Sequence, residues 1–87
     1  MARYALDIKP SARKELENVS NTLIARLARK IDGLAADPRP SGCRKLHGYK
    51  DLWRIRVGDY RVVYIIDDGR KMVSVTRVAH RRDVYVI

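Results

Sequence analysis

Cysteine, histidine, phenylalanine and acid are all scarce in this sequence: one Cys, two His, no Phe, and 10 Asp+Glu against 19 Lys+Arg. A lone Cys43 cannot form an intrachain disulfide or build a cysteine-based metal site, and beside Gly42 it reads as an incidental loop residue. The two histidines, His47 and His80, show no HxH or HxxxH spacing, so neither a zinc site nor any cofactor is expected. No stretch approaches the roughly 18–20 apolar residues of a membrane helix. Residues 1–7 include an acid, Asp7, and no long apolar run, so they are not read as a secretory leader. A cytoplasmic location is the default expectation.

The shortage of acid leaves a net charge of +9 and a pI near 10.2. Thirteen of the 19 cations are arginine, which favours directed phosphate contacts over a diffuse lysine coat. Such a balance points to a polyanionic partner, either nucleic acid or an acidic protein. Charge alone leaves open a basic surface kept only for solubility. At 87 residues and 46% hydrophobic, the chain is expected to form one domain over residues 1–87 with a modest core.

The pattern reads β-α-α-β-β-β, an α+β fold. Tyr4, Leu6 and Ile8 alternate as a short strand. Pro10 suits the first position of a helix, where its missing N–H costs nothing, and Ala12, Leu16 and Val19 space one apolar stripe. Ser20 can cap a second helix, whose apolar face is Leu23, Ile24, Leu27, Ile31, Leu34 and Ala35, with Arg26, Arg29 and Lys30 largely off it. Pro38 disfavours helix for the residue before it, so residues 37–42 form a loop. A short strand over residues 44–47, a loop over residues 48–51 and three-quarters of an antiparallel meander follow, the sheet packing on the two helices. No internal repeat or low-complexity tract is present.

The most informative segment is Trp53-Arg54-Ile55-Arg56-Val57-Gly58-Asp59-Tyr60-Arg61-Val62-Val63-Tyr64. Apolar residues alternate with arginine up to Val57, and Gly58-Asp59 matches a two-residue hairpin turn with positive φ at the glycine. That turn sets Arg56 opposite Arg61 and puts Arg54, Arg56 and Arg61 on one face. Trp53, Ile55, Val57, Tyr60, Val62 and Tyr64 take the other, as core. Like charges placed opposite each other destabilise a sheet, so the cluster implies an anion, and arginine fits phosphate. A second turn at Asp68-Gly69, taken as two residues long, would bring Met72, Ser74, Thr76, Val78 and His80 to the arginine face. Arg81, Arg82 and Tyr85 arrive from the C-terminal end.

This set contains what metal-free RNA cleavage requires. The 2′-OH attacks the adjacent phosphorus, giving a 2′,3′-cyclic phosphate and a 5′-OH. The step needs a proton acceptor, a donor to the leaving oxygen, and fixed positive charge on the phosphorane. Arginine supplies the last, while His and Tyr can supply or orient the first two. Each residue also has a plainer reading: Arg61 could pair with Asp59 or Asp67, Arg54 and Arg56 could form a solvated face, and His80 and Tyr85 could be edge or packing residues. Arg44, Lys45, Lys50 and Arg82 are expected RNA phosphate contacts, no more specific than a basic loop.

Lys45-Leu46-His47-Gly48-Tyr49-Lys50-Asp51-Leu52, running into the hairpin just described, resembles the core signature of RelE toxins of bacterial and archaeal toxin–antitoxin modules. Val78-Ala79-His80-Arg81-Arg82-Asp83-Val84-Tyr85 resembles that family's C-terminal motif. The resemblance implies a toxin that cuts mRNA in the ribosomal A site, inhibiting translation, and an acidic RelB-like antitoxin that neutralises it. Operator DNA would be bound only through the antitoxin complex. On this resemblance Arg54 and Arg56 fall where some relatives place catalytic lysines. Arg61 matches the phosphate-stabilising arginine, Arg81 a residue given to acid catalysis or charge stabilisation, and Tyr85 the tyrosine that orients the cleaved nucleotide. Arginine cannot act as a base, which makes His80 the candidate acceptor. The sequence stops two residues after Tyr85, so the C-terminal helix of longer relatives is not expected. A ParE-type inhibitor of DNA gyrase, and an inactive module that binds only RNA or antitoxin, are the alternatives.

Overall fold

Residues 3–82 are described by the computed structural model. In chain order they form β1 (Ala5–Ile8), α1 (Pro10–Glu17), α2 (Asn21–Gly33), β2 (Arg44–Lys45), β3 (Leu52–Val57), β4 (Tyr60–Asp67) and β5 (Met72–His80). The fold is α+β, with one five-stranded sheet ordered β1-β5-β4-β3-β2. The sheet is mixed rather than wholly antiparallel. β1 lies parallel to β5, with Ala5 opposite Met72 and Ile8 opposite Val75. Among these residues no helix is long and apolar enough to cross a membrane.

Local chemistry sets the helix starts where the sequence predicts them. Lys9 is the N-cap of α1 with Pro10 in the first turn, and Ser20 is the N-cap of α2, although its hydroxyl makes no capping bond. Ala12, Leu27, Ile31 and Leu34 are buried against Ile55, Val57, Val62, Tyr64, Val75 and Val78 on one face of the sheet. Burying each large aliphatic side chain contributes roughly 1.5–3 kcal/mol. Tyr64 is fully buried, and its hydroxyl donates to the Pro38 carbonyl at 2.8 Å. Burial pushes the Tyr64 pKa well up, so it stays a donor. That one bond fastens the loop after α2 to the middle of the sheet.

The β3–β4 hairpin has the expected register: Val57 pairs with Tyr60 and Arg56 with Arg61. Gly58 has φ +59, the value the turn needs at its first position. The β4–β5 connection differs. Asp67 pairs with Met72, so the link spans residues 68–71, not two residues, with Lys71 at φ 54 and Asp67 Oδ1 accepting from the Arg70 amide. Ser74, opposite Ile65, still falls on the arginine face.

A β-bulge then reverses the alternation. Tyr64 pairs with Val75 but Val63 pairs with Arg77, leaving Thr76 as an extra residue in β5. Val78, opposite Val62, and His80, opposite Tyr60, therefore turn to the helix face, contrary to the expectation for both. Helix α1 holds the irregularity in place. Ser11 Oγ donates to the Thr76 carbonyl, and Glu15 accepts from the Arg77 guanidinium and from the Val78 amide at 2.9 Å. β1 has ended by this point, so Glu15 satisfies an edge N–H that a neighbouring strand would otherwise take. Glu15→Ala should lower the free energy of unfolding by about 2 kcal/mol, as expected for lost hydrogen bonds to a charged group. Urea denaturation checks this, and a midpoint equal to wild type would show that Glu15 does not secure the bulge.

Candidate functional site: an arginine basin on the open sheet face

The hairpin and β2 together gather four arginines on the face away from the helices. Arg54 and Arg56 alternate along β3, Arg61 lies opposite Arg56, and Arg44 of β2 lies opposite Arg54. Directly opposed residues have Cα atoms only about 4.5–5.5 Å apart. These four side chains, with Gly42, line a cavity of about 490 Å³. Arg54 and Arg61 are half-buried, whereas Arg44 and Arg56 are exposed. Arg56 Nε donates to the Gly58 carbonyl and Arg61 Nη1 to the Tyr60 carbonyl, which aims both guanidinium groups back over the turn. No carboxylate of the described residues forms an ion pair with Arg44, Arg54 or Arg56. The basin can hold a dianionic phosphate or a phosphorane, with planar donors able to engage two oxygens at once.

Beside the arginines this face turns apolar. Leu52 and Val63 are buried on it with Leu46 packed against them. This small apolar floor borders the arginines, because Val63 pairs with Arg54.

β2 contributes Arg44 because the loop before it is tied down. Arg39 makes a two-toothed contact with Asp68, at 2.9 and 3.4 Å, and Tyr4 Oη donates to the same carboxylate. The Arg39 guanidinium also stacks over Trp53 at 5.1 Å from the ring centre. With the Tyr64–Pro38 bond, these contacts fix the chain a few residues ahead of Gly42 and Arg44.

The remaining sequence-predicted site residues are dispersed. His80 is on the helix face, its ring edge-on to Tyr60 at 5.5 Å between centroids, and its Nδ1 accepts from the Arg82 amide. It is therefore separated from the arginines by the sheet itself. The Arg81 amide donates to the Asp59 carbonyl at 2.7 Å, which draws that residue to the hairpin turn beside the basin. Arg82 is exposed. Lys45 pairs with Trp53, so it belongs to the opposite face from Arg44, yet it lines edge cavities along residues 44–50. Lys50 lines one of these. Tyr85 lies outside the described residues. Sequence reasoning treats Arg44 as one basic loop residue among several, and only the two-residue ladder to β3 reveals it as a full member of the cluster.

With its two-helix cover and arginine basin, the chain is similar to a known class of proteins. Residues 6–85 match the family model of the ParE toxin of the type II toxin–antitoxin system parDE. The chain is 31% identical over 83 residues to Toxin RelE of Mycobacterium tuberculosis, covering 94% of this chain and 86% of that protein. Among solved structures, the archaeal RelE–RelB complex from Pyrococcus horikoshii superposes with a TM-score of 0.82 at 28% identity, covering 91% of this chain and 96% of that one. The E. coli RelBE toxin–antitoxin complex gives 0.78 at 30% identity, covering 88% and 95%. The protein is thus a toxin of the type II toxin–antitoxin class. Within that class it belongs to the RelE family of the RelE/ParE superfamily.

The Arg39 and Tyr4 contacts hold the Asp68 carboxyl at about 2, below its ordinary 3.8. A carboxylate whose folded pKa is depressed stabilises the fold above its unfolded pKa and loses that contribution as pH falls through the folded one. Stability attributable to this link should be intact above pH 3.8 and decline between 3.8 and about 2. Asp68→Asn should remove that part of the acid dependence, as followed by thermal unfolding across the window. Identical pH slopes for the two proteins would exclude Asp68 as the source.

Proposed function

We propose that this RelE-type toxin is a metal-free endoribonuclease that cuts mRNA on the ribosome and so inhibits translation. The observation that carries this reading is the cluster of Arg44, Arg54, Arg56 and Arg61 on one sheet face, with no carboxylate partner among the described residues for the first three. Holding four cations this close opposes folding unless an anion sits among them. A phosphodiester entering the basin would meet several guanidinium groups at once. As the 2′-oxygen attacks, negative charge builds on the phosphorane oxygens, and donors already in place stabilise that state more than the substrate. Arg61, half-buried beside Arg56, is best placed for this. Arg81, drawn to the hairpin turn, takes the charge-stabilising or proton-donating role that the family resemblance gives it. Tyr85 is assigned to orienting the nucleotide on that resemblance alone.

The partner that neutralises such a surface is an acidic, RelB-like antitoxin, folding as it wraps the toxin. The relatives named above that were solved as RelE–RelB complexes support that partner. Expression of the toxin alone should arrest growth and co-expression of the cognate antitoxin should relieve the arrest. A second reading has one specific observation in its favour: the matched family model is that of ParE toxins. On that reading the protein would inhibit DNA gyrase by binding and cut nothing.

Single-turnover cleavage on programmed ribosomes, run beside a gyrase supercoiling assay, separates the two. Arg61→Ala should slow cleavage by about 10²–10³, the usual loss of one preorganised charge donor. Arg61→Lys should recover only part, since lysine lacks the planar fork. Ribosome binding should survive both changes, because other cations still neutralise phosphates. Gyrase inhibition without ribosomal cleavage would overturn the nuclease reading.

A further inference from the structure

Four arginines leave the reaction without a proton acceptor, because a guanidinium does not deprotonate in a protein. His80 cannot fill the gap from the helix face of the sheet, where it meets Tyr60. The other histidine lies at the sheet edge beside the arginines. His47 lines a cavity of about 390 Å³ together with Arg44 and Arg54, and both of those arginines also line the basin that holds Arg56 and Arg61. The two hollows therefore adjoin, sharing Arg44 and Arg54, with His47 lining one and Arg56 and Arg61 the other.

The segment before His47 is held firmly for a loop. The Leu46 amide donates to the Leu52 carbonyl at 2.9 Å, and the Leu46 side chain packs on Leu52 and Val63. Gly48, at φ +82, turns the chain immediately afterwards. His47 is exposed and has no hydrogen-bond partner among the described residues. The groups around it are Arg44 and Lys45 from β2, Tyr49 and Lys50 from the turn, and Arg54 from β3, with Arg56 and Arg61 across the adjoining basin. No carboxylate lines these hollows, so none competes with a substrate hydroxyl for the ring nitrogens.

Building on the nuclease reading, we propose that His47, not His80, accepts the 2′-OH proton. The proton passes to an imidazole nitrogen as the 2′-oxygen bonds to phosphorus. The phosphorus–O5′ bond breaks, O5′ takes a proton from solvent, and His47 later returns its own proton to solvent. The products are the 2′,3′-cyclic phosphate and the 5′-OH.

The test is single-turnover cleavage across a pH series, with each variant compared with wild type on identical ribosomes. Wild type should lose rate on acidification, as any reaction needing a neutral imidazole must. His47→Gln should slow cleavage by about 10²–10⁴ and flatten that acid limb, the expected range for a general base. His80→Gln should keep the limb. His47→Asn is read alongside, and far-UV circular dichroism together with ribosome binding verifies the fold of each. A His47→Gln enzyme that keeps both rate and limb overturns the assignment while leaving the nuclease reading intact. So does loss of the limb in His80→Gln or Lys45→Met instead. Wild type that cleaves at no pH overturns the nuclease reading and this assignment together.

Discussion

The bulge at Thr76, clamped by the first turns of α1, is the constraint on which the layout of the site depends. Upstream of it β5 presents Val73 and Val75 to the core, in phase with Tyr64 and Ile66. Downstream the phase is inverted, so Val78 fills the core and Ala79 faces the arginine side opposite Arg61. Ala79 is a small, buried residue at that place beside Arg61. Without the extra residue Val78 would stand where Ala79 does, opposite Arg61, and would be lost from the core. Glu15 and Ser11 make the inversion tolerable by satisfying the backbone groups that the bulge exposes. A helix side chain thereby determines which residues of β5 face the arginine side.

The arginine cluster conflicts with the stability of the sheet that carries it. Arg56 faces Arg61 and Arg44 faces Arg54, and each like-charge pair opposes the ladder beneath it. The opposing gain comes from the other face, where Ile55, Val57, Val62 and Tyr64 of the same two strands are buried under the helices. A buried floor of Leu52 and Val63 holds the strand pair from the basic side as well. Local rules broken at one patch and obeyed around it are the pattern expected of a functional site. The Arg39–Asp68–Tyr4 link serves the same patch from outside by fixing the approach to β2, the shortest strand and the one with least burial of its own.

Much of this arrangement is legible in the sequence because it is local. The alternation through Arg54 and Arg56 and the Gly58-Asp59 turn determine the hairpin register without reference to any other segment. Pro10 and Ser20 likewise mark their helices. What escapes is everything that depends on contacts far apart in the chain. Val75-Thr76-Arg77 carries neither glycine nor proline, so nothing in it signals a bulge; the cause is α1, 62 positions from Arg77 at Glu15. The parallel pairing of β1 with β5 and the partnership of Arg39 with Asp68, 29 residues away, are invisible for the same reason. His80 is misplaced by a single residue of phase, because an alternating pattern sends an error of one to the opposite face.

Arginine at both β3 positions has a consequence for how the chemistry can be divided. A lysine there could hold phosphate in one protonation state and accept a proton in the other, uniting binding and proton transfer on one strand. Guanidinium groups keep their charge across the whole physiological range, so any anion in the basin would meet a charge that pH does not change. On the nuclease reading, proton transfer would then come from outside β3 and β4. On the proposed reading the acceptor, His47, belongs to the turn after β2, next to Leu46 on the apolar floor. On the proposed reading, charge and acid–base function fall on different elements, one paired on both sides, the other short and at the sheet edge. The edge is the part of this fold that can vary its side chains with least effect on the core, so on that reading the proton acceptor could change while the arginine cluster stays fixed.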